Sequence, residues 1–157
     1  MDEKAAKKIA KARIALIVDY PFLGHLSLSL EPEEKMTGTM ATNGVKLYYD
    51  PDFVNNLSTV EVMGVIAHEV WHCALLHIPR QKKREAMRWN LATDFACNEL
   101  ILKEGSSGKT SIKLPRGCLI PGVTPGTNDF KGQHAEYIYD HIPVIQIPRG
   151  GMGPIDS

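Results

Sequence analysis

Ala67-His68-Glu69-Val70-Trp71-His72-Cys73 decides how the rest of the chain is understood, because it sets His-Glu-x-x-His inside a run that reads as a helix. Residues four apart share a helix face, so His68 and His72 can present two imidazole nitrogens to one ion. Glu69 sits one position round from His68, close enough to reach a water on that ion without being a ligand itself. Two neutral nitrogen ligands, an open coordination position and a carboxylate to take the water's proton are the parts of a zinc hydrolase. Taken alone, the five-residue pattern also fits two surface histidines on an ordinary amphipathic helix.

The flanking residues argue against that bland reading. Ser58 is placed to cap the helix, with Glu61 three residues later completing a capping box and Leu57 and Val62 closing over it. Val62, Val65, Ile66, Val70 and Cys73 then return at intervals of three and four, and Pro79 is expected to stop the run after Ile78. A helix this apolar does not lie free on a surface. Histidines near its middle need partners, and a metal would satisfy them.

With 157 residues the chain has length for one domain with a real core. We expect that domain over residues 1–143 and a flexible tail over 144–157, where Pro148-Arg149-Gly150-Gly151-Met152-Gly153-Pro154 cannot make a regular element. Formal charge balances at zero, so nothing points to nucleic acid or an anionic membrane surface. The basic runs at Lys7, Lys8, Lys11 and Arg13 and at Lys82, Lys83 and Arg84 read as solvated surface. No stretch approaches the length of a membrane span, and the apolar run 14–18 is too short for a signal peptide. Cys73, Cys97 and Cys118 lack paired spacing, so a reducing, cytoplasmic setting is expected.

In chain order, residues 2–20 read as a helix with Ala5, Ile9, Ala12, Leu16 and Ile17 as its apolar stripe and Pro21 marking its end. His25-Leu26-Ser27-Leu28-Ser29-Leu30 alternates and reads as a half-buried strand, with residues 31–35 a polar connection. Residues 37–42 and 45–49 flank Asn43-Gly44, a strong hairpin signal, and Asp50-Pro51-Asp52 turns the chain toward the capped helix. An edge of the resulting small sheet could run beside the histidines and take an extended peptide by strand addition.

A second long helix is expected from about Arg84 to Lys103, ended by Gly105. On it Asn90, Asp94 and Asn98 recur every four residues, beside apolar Leu91, Phe95, Ile101 and Leu102. A carboxylate on a helix committed to packing must be paired, capped or metal-bound, which makes Asp94 the candidate third ligand. An aspartate exposed at the helix margin is the alternative. Residues 105–131 read as a long loop, either an active-site cover or a surface connection, and 133–140 as a short final helix with Tyr137, Ile138 and His141 near the body. Gly105-Ser106-Ser107-Gly108-Lys109-Thr110 lacks the spacing of a phosphate loop and follows a helix instead of a strand.

The chain resembles a bacterial and phage family of metallopeptidase domains that are often followed by a von Willebrand A-like domain. The resemblance rests on Met40-Ala41-Thr42-Asn43-Gly44, Leu47-Tyr48-Tyr49-Asp50-Pro51-Asp52-Phe53-Val54 and His68-Glu69-Val70-Trp71-His72-Cys73-Ala74-Leu75. It continues through Trp89-Asn90-Leu91-Ala92-Thr93-Asp94 with Asn98 and ends near Ala135-Glu136-Tyr137-Ile138-Tyr139-Asp140. It implies an α+β, zincin-like fold in which a small, mainly antiparallel sheet packs on the His-Glu-x-x-His helix and further helices. It also implies Asp94 as third ligand, and a von Willebrand A-like domain or protein and an AAA ATPase as partners. The sequence stops where such a second domain would begin, which leaves regulation through it open.

The expected chemistry is zinc-dependent peptide hydrolysis: His68, His72 and Asp94 hold zinc, and Glu69 activates the water it carries toward a peptide or protein substrate. Asn90 or Asn98 is placed to orient Asp94, and Tyr137, His134 or His141 to stabilise an oxyanion. The rival is a catalytically silent zinc-binding interaction module on the same fold. A further variant replaces Asp94 with another donor: His77, which falls on a different face from His72, or Cys73 or Cys97, each more often a buried small hydrophobe.

Overall fold

The computed structural model describes residues 1–105 and 112–142. The tail expected over 144–157 and the Gly-Lys-Thr stretch ending at Thr110 lie outside the described residues. The chain runs α1 (Glu3–Asp19), α2 (Pro21–Ser27), β1 (Glu31–Glu34), β2 (Met40–Thr42), β3 (Lys46–Tyr49), α3 (Pro51–Asn55), α4 (Thr59–Ala74), α5 (His77–Arg80), α6 (Ala86–Gly105) and α7 (Ala135–His141). None of these helices is long and apolar enough to cross a membrane.

Asp2 caps α1 by accepting from the Ala5 backbone N–H at 3.0 Å. Ala5, Ile9, Ala12 and Leu16 are buried as the stripe predicts, and α1 packs on α2, α3 and α4. Two of the basic residues expected at the surface turn inward. Lys8 donates to the Val54 and Asn55 carbonyls at the end of α3, and Arg13 to the Ser27 carbonyl.

The strand expected at residues 25–30 is instead the end of helix α2 and the turn after it. Pro21 occupies the first turn of α2, and Leu23, Ser27 and Leu30 are buried, a spacing of four and three that belongs to a helix. The Leu26-Leu28-Leu30 alternation carries no face, since Leu28 points to solvent. Gly24 lets α2 lie against α1, because a Cβ there would run into the Ile17 backbone.

The polar connection expected at 31–35 is itself a strand. β1 pairs parallel to β3 and β2 pairs antiparallel to it, giving a mixed sheet of order β1-β3-β2. Glu31-Pro32-Glu33-Glu34 has poor strand propensity; β1 owes its conformation to β3 and to Lys46, which reaches Glu31 at 3.4 Å and Glu33 at 3.2 Å. Charge and a proline suit it to an exposed edge. The hairpin at Asn43-Gly44 forms as expected, with Asn43 Oδ1 accepting from the Val45 and Lys46 N–H groups and Gly44 at φ +93°. β2 rests on α4 with all three residues buried.

The Asp50-Pro51-Asp52 turn opens a one-turn helix, with Asp50 as N-cap and Pro51 in the first turn. The capping box on α4 forms in full: Glu61 N–H donates to Ser58 Oγ, and Glu61 Oε1 accepts from Ser58 N–H. Its end differs from expectation. α4 stops at Ala74, where Leu76 adopts the left-handed conformation (φ 56°), and Pro79 falls in the first turn of the short helix α5, where its missing N–H costs nothing. Leu76 therefore turns the chain, and His77 comes back against α4.

The described part of the long loop, 112–131, carries one 3-10 turn (Asn128–Phe130) and touches α4 at Lys113 and α6 at Leu119 and Phe130. Lys113 N–H donates to the Val60 carbonyl, and its own carbonyl lies so close to Gly64 that a Cβ could not fit between them. Leu119, Phe130, Ile138 and Ile142 close a small second core on Ala92, Phe95 and Ala96 of α6. Ile138 packs inward as expected, whereas His141 is exposed and stacks on Tyr137. Leu102, expected as packing surface, is largely exposed.

Arg80 joins α5 to α7 by donating to both carboxylate oxygens of Glu136, one at 2.9 Å. That guanidinium holds the Glu136 carboxyl down at about 2, with burial opposing. A folded value below the unfolded one means the pair's contribution is present above about pH 4.5 and is lost as pH falls toward about 2. The pair is partly solvated, so we expect less than about 1 kcal/mol. Glu136→Gln should flatten the thermal midpoint's pH dependence in that window. An acid profile identical to wild type would refute this.

Candidate metal centre

α4 and α6 lie against one another, and their polar pairs run in opposite directions: His68 meets Asn98, and His72 meets Asp94. The site is built where these two helices touch. His68, Glu69 and His72 have no exposure at all, and Asp94 and Asn98 are each 2% exposed. Asp94 is thus inside, and the alternative of a marginal, solvated aspartate is removed.

His68 Nε2 stands 2.9 Å from Asp94 Oδ1 and 2.9 Å from His72 Nε2, while His72 Nε2 stands 3.3 Å from the same carboxylate oxygen. The tautomers follow from the neighbours. Asn98 Nδ2 donates to the Leu119 carbonyl at 2.8 Å, which leaves Asn98 Oδ1 as the acceptor facing His68 Nδ1 at 2.7 Å. His68 therefore carries a proton on Nδ1, and its Nε2 faces Asp94. Two such atoms 2.9 Å apart need something positive between them, a proton on one of the cluster's own atoms or a cation.

A cation fits the donor set. Donors 2.0–2.1 Å from a tetrahedral zinc stand roughly 3.3 Å apart, close to the three separations here. Glu69 supplies a second, independent sign: both its carboxylate oxygens are buried without a hydrogen-bond partner. Burial pushes this carboxyl well above the ordinary carboxylate range, with His68 pulling it down and Asp94 pushing it further up. Positive charge in the donor cluster acts in the opposite sense and favours the ionised form.

Some expected roles fall to other residues. Asn98 orients His68 and not Asp94, and Asn90 Oδ1 is buried with no partner. His134 and His141 are exposed, and their ring nitrogens bond within α7: His134 Nδ1 accepts from Tyr137 N–H, and His141 Nδ1 meets the Tyr137 carbonyl. Nothing places either of them, or Tyr137, on the cluster.

The spacing places His77 on a different face from His72, as a continuous helix would require. The left-handed turn at Leu76 instead brings His77 Nδ1 to 3.0 Å from His72 Nδ1. His77 is buried, its carbonyl accepts from Trp89 Nε1 at 2.7 Å, and burial lowers its ring pKa to about 2, with His72 adding to the effect. Cys97 Sγ lies 3.6 Å from His72 Nδ1 and 3.7 Å from His77 Nδ1; burial raises this thiol well above its usual value. Cys73 lies 3.8 Å from Thr42 Oγ1.

A cavity of about 230 Å³ reaches His72 from the side of the β2–β3 turn, bordered by Asn43, Gly44, Cys73, Leu76 and Ile78. A buried His-Glu-x-x-His pair of histidines with a third acidic or sulfur donor is consistent with a zinc-dependent peptidase active site. Comparison with the curated proteins and with the solved structures finds no match. The model of one family, described as "Putative metallopeptidase domain", matches residues 4–154, and the chain therefore belongs to that family.

Proposed function

We propose that the protein is a zinc-dependent metallopeptidase in which His68, His72 and Asp94 hold the metal and Glu69 is the general base. The observation that carries this is the convergence of three donors beside a buried carboxylate with no other partner. Zinc, when bound, supplies Lewis acidity toward a peptide carbonyl and lowers the pKa of water. The chain's residues do the rest. Asn98 and the Leu119 carbonyl lock the His68 tautomer, so that Nε2 faces the metal position. Glu69 accepts the proton of the attacking water and can return it to the leaving amine.

The substrate approaches past the Asn43-Gly44 turn, where the cavity meets His72. Strand addition along β2 would first require that edge to be uncovered, because its three residues are buried. With the family resemblance as support, the proposal extends to a von Willebrand A-like domain or protein and an AAA ATPase as partners. Three free cysteines support a cytoplasmic setting.

One observation favours the rival, a silent zinc-binding module: the donors are closed off from solvent. Turnover then requires water and substrate to reach donors that are buried. The test is direct. Zinc-loaded protein should cleave an unfolded protein such as casein, and a chelator should stop it. Protein that binds one zinc and cleaves nothing in a broad peptide library would establish the rival instead.

A further inference from the structure

His72 has a second nitrogen, and a second set of donors surrounds it. His72 Nδ1 and His77 Nδ1 are 3.0 Å apart, with Cys97 Sγ at 3.6 and 3.7 Å from them. All three side chains are buried, and each comes from a different helix: α4, α5 and α6. Two nitrogens at about 2.0–2.1 Å and one sulfur at about 2.3 Å from a tetrahedral ion stand roughly 3.3 Å and 3.6 Å apart, so this triangle matches a zinc site as well as the first does. The strained turn at Leu76, a non-glycine residue at φ 56°, is what brings His77 into it.

We propose that His72, His77 and Cys97 form a second site for a thiophilic divalent cation, zinc being the natural occupant, and that it competes with His68, His72 and Asp94 for a single ion. The donor chemistry selects the cation, since two imidazoles and a thiolate with no carboxylate reject calcium and magnesium. The competition follows from the ring. A neutral imidazole has one lone pair. An ion on His72 Nε2 leaves the proton on Nδ1, where it is donated to His77. An ion on Nδ1 leaves it on Nε2, pointing at His68 Nε2 and Asp94 Oδ1. Taking the ion onto sulfur releases the Cys97 proton to solvent, and no electron moves.

His72, shared by both sites, lines the cavity beside the hairpin, and His77, which belongs to the sulfur site alone, lines another of about 280 Å³ together with Arg80, Glu99 and Lys103. If the peptidase reading holds, an ion in the sulfur site leaves Glu69 without a working metal, so the second site is a resting position a few ångströms from the active one. The idea rests on that reading only for its consequence.

Cobalt(II) replaces zinc and reports its ligands, because a cobalt–thiolate bond gives an intense near-ultraviolet charge-transfer band. Asp94→Asn, which weakens the first site, should still bind one cobalt and should show that band. Adding Cys97→Ser should abolish the band and weaken binding at least tenfold. His68→Gln serves in the same way if Asp94→Asn does not fold, as judged by circular dichroism. Wild type should saturate at one equivalent. A folded Asp94→Asn or His68→Gln protein that binds cobalt without the sulfur band, or binds none, overturns the second site. Two equivalents in wild type overturn the competition. Failure of the peptidase reading looks different: metal-loaded wild type hydrolyses nothing, whatever its spectrum.

Discussion

Glu69→Gln should lower peptide hydrolysis by roughly 10²–10⁴-fold while the protein stays folded and keeps its zinc. Glutamine preserves the volume of a side chain packed with no exposure, so the change removes the proton-accepting oxygen without opening a cavity. The donors on His68, His72 and Asp94 are untouched, which is why metal content should not move. The measurement pairs kcat/KM on a quenched peptide with zinc per chain. Zinc retained and hydrolysis undiminished would remove Glu69 from the mechanism. Zinc lost would instead show that Glu69 belongs to the metal's own ligand set.

The second large effect concerns the metal itself. Stripping zinc should lower the thermal midpoint by roughly 5–10 °C, and adding it back should restore the loss. A ligand present at a hundred times its Kd stabilises by about 2.7 kcal/mol. In a chain of this size each kcal/mol moves the midpoint by about 2–4 °C. The physical source is the buried cluster, where His68 Nε2 and Asp94 Oδ1 face each other 2.9 Å apart. Without the ion, a buried proton must take its place between them, and the Glu69 carboxyl stays buried with no donor. Midpoints equal within a degree, with and without zinc, would mean that this cluster holds no ion.

Both expectations begin in local sequence. The Ser58-Glu61 capping box and the return of Val62, Val65, Ile66 and Val70 define α4, and four-residue spacing on that helix is enough to align His68 with His72. Asp94 was legible as a polar group on a packing helix, and Asn43-Gly44 as the turn of a hairpin. These are short-range facts, set by turn geometry and helical period.

What lay beyond the sequence depended on partners far along the chain. β1 is a strand because β3 lies beside it, although Glu31-Pro32-Glu33-Glu34 would not choose that conformation. Residues 25–27 complete a helix because α1 offers a groove at Ile17 that only Gly24 can enter, and alternating leucines could not reveal it. His77 approaches His72 because one residue, Leu76, takes a positive φ, which no pattern of side chains announces. Asn98 serves His68 because the Leu119 carbonyl, on a loop without periodicity, occupies its amide nitrogen. Helical period alone could align two imidazoles, but how their protons are arranged, and which donors surround each nitrogen, was decided by the packing of α5, α6 and the long loop around them.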